Sequence, residues 1–496
     1  MDQQAAPVPR LLRDSTLYFI GNVANRFFSF VMMPFYTHHL SPSQYGILNL
    51  VELSISVIAI VFGLQSIGQT MTRLYHDQPT EDGRRRVIST ALVGATVAAI
   101  LVAAAAIMFA RPIALAINLP QNVDLLRAAF VAMVFSTMSE VVLVYYRIQN
   151  RARFFLAYAM VALLATLALN IWFIGYLNFG VWGFVSTKLI VAGTGSLVLT
   201  VLALRDVGLR FTMAHARGMA RFGGPLVLSS AGYYSIHFSD RLFLAHVSQA
   251  DVGIYSLAYN FAFLISVLVG DSFAKTWGVS FYGYATGPNW QRRFAIIAFW
   301  LVFVLGTSAV GISLFGRDTL RIITPASYLP PLLMLPVLVF GYFFREIGDF
   351  FSNMLLIGQG SGTVGRIALG GAVLNIGLNW LLITGPLHWG IWGAATATAA
   401  TWVVYCAVCW LAAWRLHHMP FSPFPLLRML ALSAACLALH LLLPVQNAYV
   451  AIVADAGWFA VFLAGSAVLY LGQTHRREAW ALGLRSWAVA TGGRQA

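Results

Sequence analysis

The sequence predicts an all-α polytopic membrane protein with about 14 transmembrane helices, arranged as two six-helix bundles related by pseudo-two-fold symmetry plus two C-terminal helices. Three observations lead there. Of 496 residues, 59% are hydrophobic and 10% charged, with a mean hydropathy of +0.76, whereas about a quarter of residues are charged in a soluble chain. Apolar windows of spanning length follow one another with short connections. Two landmarks of the first half recur in the second. At about 35 residues for each span and its connection, this length leaves no room for a large extramembrane enzyme, a nucleotide-binding domain or a disulfide scaffold.

The windows predict spans near 14 to 39, 46 to 71, 87 to 110, 125 to 148, 155 to 177 and 181 to 204. After a basic loop come spans near 223 to 247, 252 to 279, 294 to 316, 331 to 357, 366 to 384 and 391 to 414, then a last pair near 426 to 446 and 450 to 472. The longest outer connections, 111 to 124 and 317 to 330, are short. The N-terminal segment does not read as a cleavable signal, because Asn22, Asn25 and Arg26 interrupt its apolar run.

The repeat supports the bundle arrangement. HLSPSQYGIL from His39 lies over HVSQADVGIY from His246, pairing Ser41 with Ser248, Gly46 with Gly253 and Ile47 with Ile254. LNIWFIGYLNFGVWG from Leu169 matches LNWLLITGPLHWGIWG from Leu378 with one residue inserted. Each pair sits at the same place in its half, between spans one and two and between spans five and six. Parallel repeats of this kind are common in transporters. The expected domains are residues 1–210 and 211–415 for the two bundles and 416–496 for the extra helices and a tail.

A formal charge of +14 raises nucleic-acid binding as a reading, but its placement argues against it. With the N-terminus inside, 22 arginines fall in cytoplasmic connections, among them Arg84, Arg85, Arg86, Arg147 and Arg151, against four on the other side, Arg111, Arg127, Arg317 and Arg321. This positive-inside bias places both termini in the cytoplasm. Cys406, Cys409 and Cys436 lie within spans and read as small core residues. No P-loop, zinc spacing or catalytic constellation is present, so neither enzyme chemistry, nor a cofactor, nor a metal is expected.

Ionisable residues inside spans cost about 2.5 to 3.5 kcal/mol each on insertion scales, which makes them functional candidates. In the first span Asn22, Arg26 and Ser29 share a face. In the second, Glu52, Ser56, Ala59, Gly63, Ser66 and Thr70 form a small and polar stripe, and an Arg26–Glu52 helix lock is one reading. The seventh puts Ser230, Tyr234, His237 and Arg241 on one face beside Asp240, with His237 either a proton carrier or a satisfied core residue. On the eighth, Asp271 precedes Lys275 by one turn and reads as a solvated pair. The tenth concentrates Arg345, Glu346 and Asp349, where one acid exceeds the bases, so that a carboxylate pairs with another helix or takes a proton or cation. Glu140 and Lys188 read as single charges that snorkel or pair.

The first-span segment STLYFIGNVANRFFSFVMMPFYTHHLSPSQYGILNLV, the FSDRLFLAHVSQADVGIYSLAYNFA segment from Phe238 and LNIGLNWLLITGPLHWGIWGAATATAATWV from Leu374 resemble the polysaccharide transporter (oligosaccharide flippase, Wzx-like) family of the multidrug/oligosaccharidyl-lipid/polysaccharide exporter superfamily. The resemblance implies a bacterial inner-membrane flippase for polyprenyl-pyrophosphate-linked oligosaccharides, folded as two six-helix bundles with two extra helices. It implies Arg26 and Arg241 as pyrophosphate-binding residues; Asn22 and Arg345 join them as substrate-binding candidates. Glu346, Asp349, Asp240, His237 and Glu52 are ion-coupling candidates. The expected partners are the lipid-linked oligosaccharide, membrane lipids, a coupling proton or sodium ion, and polysaccharide polymerase or secretion proteins. Two further readings are a small-molecule extruder of the multidrug type and a non-transporting subunit of a polysaccharide secretion complex.

Overall fold

A computed structural model describes residues 28 and 30–470, apart from 286–288, 330–331, 360, 419, 444 and 446. The described chain is helical throughout. In order, the helices are α1 (30–39), α2 (Pro42–Val61), α3 (Ile67–His76), α4 (Glu81–Met108), α5 (Ala110–Ala116), α6 (Val123–Ile148), α7 (Ala152–Asn170), α8 (Val181–Val207), α9 (Met213–Ala245), α10 (Gln249–Ala262), α11 (Asp271–Ala285), α12 (Trp290–Ile323), α13 (Leu335–Gln359), α14 (Ser361–Asn379), α15 (Gly390–His417), α16 (Phe424–Leu442) and α17 (Ala448–Leu469). Eleven helices among the described residues are long and apolar enough to cross a membrane. Helices α9 and α13 have the length, at 33 and 25 residues, but carry too many polar or charged side chains to count among them. Those same polar groups form the buried clusters described below.

Local chemistry sets the helix ends. Ser41 and Gln44 make a reciprocal capping box at the start of α2, with Pro42 in the first turn, where its missing N–H costs nothing. Thr80 Oγ1 accepts from Gly83 N at 3.1 Å to start α4, and Asn447 accepts from Tyr449 N at 2.9 Å to start α17. Three expectations need correction. The second span is not continuous over 46 to 71: α2 ends at Val61, and Gly63 turns at φ 73° before a 3-10 turn, Leu64–Ser66, leads into α3. The outer connections are also partly helical, since α5 occupies Ala110–Ala116 and α12 runs on to Ile323. The seventh helix begins ten residues earlier than expected, at Met213.

The repeat is reproduced in conformation. His39 and His246 each place Nδ1 2.9 Å from the carbonyl four residues back, closing α1 and α9. Helices α7 and α14 both end at a buried asparagine followed by a π-helical turn, Ile171–Tyr176 and Trp380–Thr384. Each asparagine amide reaches the first helix of its half. Asn170 Nδ2 donates to Tyr36 Oη at 2.9 Å, and Asn379 Nδ2 donates to Ser239 Oγ at 3.0 Å. In the following turns, Asn178 and His388 share a left-handed φ of 56° and 47°, and Gly180 and Gly390 one of 55° and 53°. Even the irregularity of the second span has a counterpart, because α10 passes through a π turn, Ser266–Gly270, where α2 breaks at Gly63.

Contacts divide the chain into two compact units. One holds Met1–Leu257 with Ala372–Ala394, the other Ala258–Gly371 with Ala395–Ala496. The first packs Met71, Ile88, Leu92, Val142, Tyr145, Leu199 and Ala203 of α3, α4, α6 and α8 into one core. Ala91, Ala95, Ala99 and Ala103 recur every fourth residue along α4 and are all buried, and small side chains of this kind let helices approach closely where lipid gives no hydrophobic drive for association. In the second unit Phe294 packs edge-on and Phe350 tilted against Trp277, with centroids 4.8 and 5.2 Å from the tryptophan ring, and Gly306 of α12 lies directly under Met429 of α16. Cys406, Cys409 and Cys436 are buried free thiols, as expected.

The matched glycines explain themselves within the first unit. Helices α2 and α10 cross at Gly46 and Gly253: a methyl group on Gly46 would strike the carbonyl oxygen of Gln249, and one on Gly253 would strike that of Pro42. Pro42 and Gln249 are themselves equivalent, so the contact is self-complementary, and Ser43 Oγ donates to Gln249 Oε1 across it at 3.1 Å. Backbone cannot yield as a side chain can. Gly46→Ala and Gly253→Ala should therefore each destabilise the protein by about 1 to 3 kcal/mol, and by similar amounts. Thermal unfolding in detergent measures this; a loss for one variant and not the other would contradict the symmetric crossing.

Candidate functional site

Among the described residues, cavities open at three places in the first unit. Two of them, of 570 and 540 Å³, share Glu140 and Arg147 of α6 as common wall, and both fall within the size range of ligand sites. The first is faced by Gln65, Gln69, Thr72 and His76. These four recur at i, i+4, i+7 and i+11 and so share one side of the helix. The break at Gly63 is what turns that side toward α6. The stripe expected to line a cavity behaves differently at its far end: Thr70 Oγ1 bonds back to Ser66 O and Ile67 O, and both residues face α9 at Gly223, bordering a separate cavity of 390 Å³.

The second cavity lies among α2, α6, α7 and α8 and contains two acids and two bases, Glu52, Glu140, Lys188 and Arg147. Lys188 Nζ donates to Glu52 Oε1 at 2.5 Å. Glu52 therefore pairs with Lys188, so that Lys188 takes the pairing alternative of its expected roles; Arg26, the other expected partner of Glu52, lies outside the described residues. Arg147 stacks over Phe155, 5.9 Å from the ring centre, with no carboxylate within ion-pair distance among the described residues. Ser139 Oγ, Thr187 Oγ1 and Asn170 Oδ1 line the same cavity, buried and without a hydrogen-bond partner. Unsatisfied buried acceptors and hydroxyls are expensive, and three of them gathered in one wall mark it as a candidate site. The sequence does not bring Glu140 and Arg147 into one cavity wall, because one reads as an isolated charge and the other as a topology signal.

Two buried clusters account for most of the remaining candidates. Arg241 is held inside the first unit: its Nε donates to Ser256 Oγ at 3.0 Å and an Nη to the His237 carbonyl at 2.9 Å. Asp240 accepts from the Arg241 backbone at 2.8 Å and from the Tyr255 hydroxyl. His237, Asp240 and Arg241 are all buried, and this arrangement knits α9 to α10. Beside it, Ser239 Oγ donates to Asn375 Oδ1 at 2.5 Å. Tyr234 is exposed. Asn22, Arg26 and Ser29 lie outside the described residues, as does the side chain of Ser230.

In the second unit the charged centre of α13 is satisfied by neighbouring helices. An Arg345 Nη donates to Ser266 Oγ at 3.0 Å and to Glu346 Oε1 at 3.1 Å; Nε lies 3.6 Å from Asp349 Oδ2. Ser266 Oγ also donates to Glu346 at 2.5 Å, and Tyr405 Oη donates to Asp349 Oδ1 at 3.0 Å. The π turn at Ser266–Gly270 makes this possible, since the Glu346 carboxylate rests against Gly270 where any side chain would collide. The guanidinium is further surrounded by the rings of Phe263, Tyr342 and Trp402 at 5.8 to 6.0 Å. The surplus acid is thus shared among helices, and Asp349, with 31% of its side chain exposed, is the most accessible member.

Removing one partner from a buried ionic cluster strands the others, at a cost of about 3 to 5 kcal/mol. Arg345→Met should accordingly abolish most monodisperse protein on gel filtration, whereas the combined Arg345→Met, Glu346→Gln and Asp349→Asn change should restore much of it. Equal yields for the single and combined variants would show that the cluster is not coupled.

Comparison with known proteins fits this architecture. Residues 38–278 match the family model described as polysaccharide biosynthesis protein, which bears out the resemblance read from the sequence. No curated protein matches the sequence. Among solved structures, the inward closed conformation of the lipid II flippase MurJ is similar with a TM-score of 0.72 at 14% identity, covering 92% of this chain and 99% of that one. An inward-facing multidrug resistance MATE family transporter of the MOP superfamily gives 0.61 at 17% identity over 79% and 94%. A Vibrio cholerae MATE transporter gives 0.57 at 16% identity over 82% and 96%. The chain is a multi-pass membrane protein with the fold of MOP-superfamily transporters.

Proposed function

We propose that this protein is an alternating-access flippase that carries polyprenyl-pyrophosphate-linked oligosaccharide units from the cytoplasmic to the periplasmic leaflet of a bacterial inner membrane, for exopolysaccharide, capsule or O-antigen synthesis. The observation that carries the reading is the 540 Å³ cavity, whose wall combines Arg147, a Lys188–Glu52 pair and three unsatisfied polar atoms inside otherwise apolar helices. That wall lies within the segment matched by a polysaccharide biosynthesis family, and a protein of the same fold is a lipid II flippase. The lipid tail remains in the bilayer while sugar and pyrophosphate cross through polar surroundings, which avoids exposing them to hydrocarbon. No bond is made or broken. Moving a dianionic head group out of a negative interior gains roughly 5 kcal/mol at 100 mV, so the membrane potential assists export, and Asp349 is the best-placed residue for any additional coupling to a proton or sodium ion.

Within this reading Arg147 is the pyrophosphate ligand of the cavity, because its guanidinium is not committed to a carboxylate. Arg26 remains a second candidate on the strength of its sequence context. A charged hydrogen bond to phosphate is worth about 1.5 to 3 kcal/mol, so Arg147→Ala should lower transport roughly 10- to 100-fold per folded molecule. Arg147→Lys should recover only part of it, since an ammonium does not reproduce the two parallel bonds of a guanidinium. Proteoliposomes loaded with a labelled lipid-linked oligosaccharide and probed with an impermeant sugar oxidant measure it. Unchanged transport in Arg147→Ala would remove this residue from the site. The MATE fold likeness keeps a small-molecule extruder as the competing reading, and efflux of organic cations without lipid-linked sugar transport would favour it. The proposed orientation has both termini in the cytoplasm; a C-terminal alkaline phosphatase fusion is expected to be inactive, and an active one would reverse the topology.

A further inference from the structure

The two C-terminal helices meet α12 at a group of side chains that the proposed transport site does not use. Asp318 near the end of α12, His440 near the end of α16 and Asp455 two turns into α17 bring their ligand atoms within 4.8 Å of one another. His440 Nε2 stands 2.9 Å from Asp455 Oδ1. Asp455 is 0% exposed, and among the described residues no N–H or O–H is aligned to donate to either of its carboxylate oxygens. No other charged residue occurs in α17. Arg321 donates to Asp318 Oδ1 at 2.9 Å, which neutralises one acid; Arg317 borders the same place, half-buried, without an ion pair to either. With a neutral imidazole, the buried Asp455 carboxylate has no cation within ion-pair distance among the described residues, a costly state. A proton or a cation must complete the group.

The donor set favours the cation. Imidazole nitrogen and carboxylate oxygen are both zinc ligands, and three protein ligands leave a fourth position to water. A ligating carboxylate is ordinarily fixed by a further hydrogen bond, which Arg321 supplies to Asp318. The adjoining cavity, lined by Asp318, Arg321, His440 and Trp458, has a volume of 20 Å³, room for about one water molecule. We propose that Asp318, His440 and Asp455 form a binding site for a divalent metal ion of the zinc class, which ties the C-terminal helix pair to α12. No motif spacing announces it, because the ligands come from three separate helices.

The test uses the full-length protein in detergent, free of any histidine tag and stripped with chelator. After incubation with Zn²⁺ and gel filtration, elemental analysis should find one zinc per chain, and Zn²⁺ should raise the melting temperature. His440→Gln and Asp455→Asn should each lose both effects, and Arg321→Met should weaken binding by about 10- to 100-fold. His440 is the least buried of the three ligands, so His440→Gln serves if Asp455→Asn does not fold. A folded wild-type protein that retains no zinc, or a His440→Gln variant that retains it equally, would overturn the site. Stabilisation of the wild type by lowered pH without any response to Zn²⁺ would identify a shared proton in its place.

Discussion

A guanidinium or carboxylate held between helices in a bilayer has no water to solvate it, so its counter-group must come from elsewhere in the same chain. That constraint organises the interior of this protein. Glu52 is tied to Lys188, Arg345 to Glu346, Asp349 and Ser266, and Arg241 to Ser256 and a helix carbonyl. Some of these contacts stay within one helix, but each group also includes a contact to another helix, Lys188 to Glu52, Arg345 to Ser266 and Arg241 to Ser256. The helices too polar to qualify as apolar spans, α9 and α13, supply two of the three arginine or acid clusters. Their polarity is tolerated because it is spent inside the protein.

Irregular backbone is placed where these ties need it. The π turn of α10 widens the helix at Gly270 so that the Glu346 carboxylate can lie against it, and the break at Gly63 presents Gln65, Gln69, Thr72 and His76 to the Arg147 cavity. Both irregularities occur at the same place in their halves. Equivalent positions of the repeat thus adjoin an ion cluster in one half and an open polar wall in the other. Such divergence is consistent with π turns marking functional positions in helical proteins.

Much of this was legible in the sequence, for physical reasons that differ from residue to residue. Apolar windows and the repeat are local or near-periodic signals, and they yielded the helical class, the equivalence of Gly46 with Gly253 and the i, i+4 contact of Arg345 with Asp349. The two asparagines, Asn170 and Asn379, lie inside the matched segments but their hydrogen-bonded role depends on side chains of α1 and α9. Partners drawn from distant helices leave no spacing to read, so nothing in the sequence joins Glu52 to Lys188 or sets Glu140 beside them in one cavity. Arg147 was absorbed into the topology signal. The polar face of α3 was hidden by a change of helical phase at Gly63, since a periodicity continued straight through the break selects Ser66 and Thr70 instead.

The central claim is that the charged cavity of the first unit serves a lipid-linked, pyrophosphate-bearing head group. Native mass spectrometry of the detergent-purified protein tests it most directly, by asking what the molecule retains when presented with polyprenyl-pyrophosphate oligosaccharide, polyprenyl monophosphate and a lipophilic organic cation in equal amounts. The account predicts a dominant one-to-one complex with the pyrophosphate-linked glycan, reduced when the second phosphate is missing. Preferential retention of the organic cation, or equal retention of all three, would contradict it.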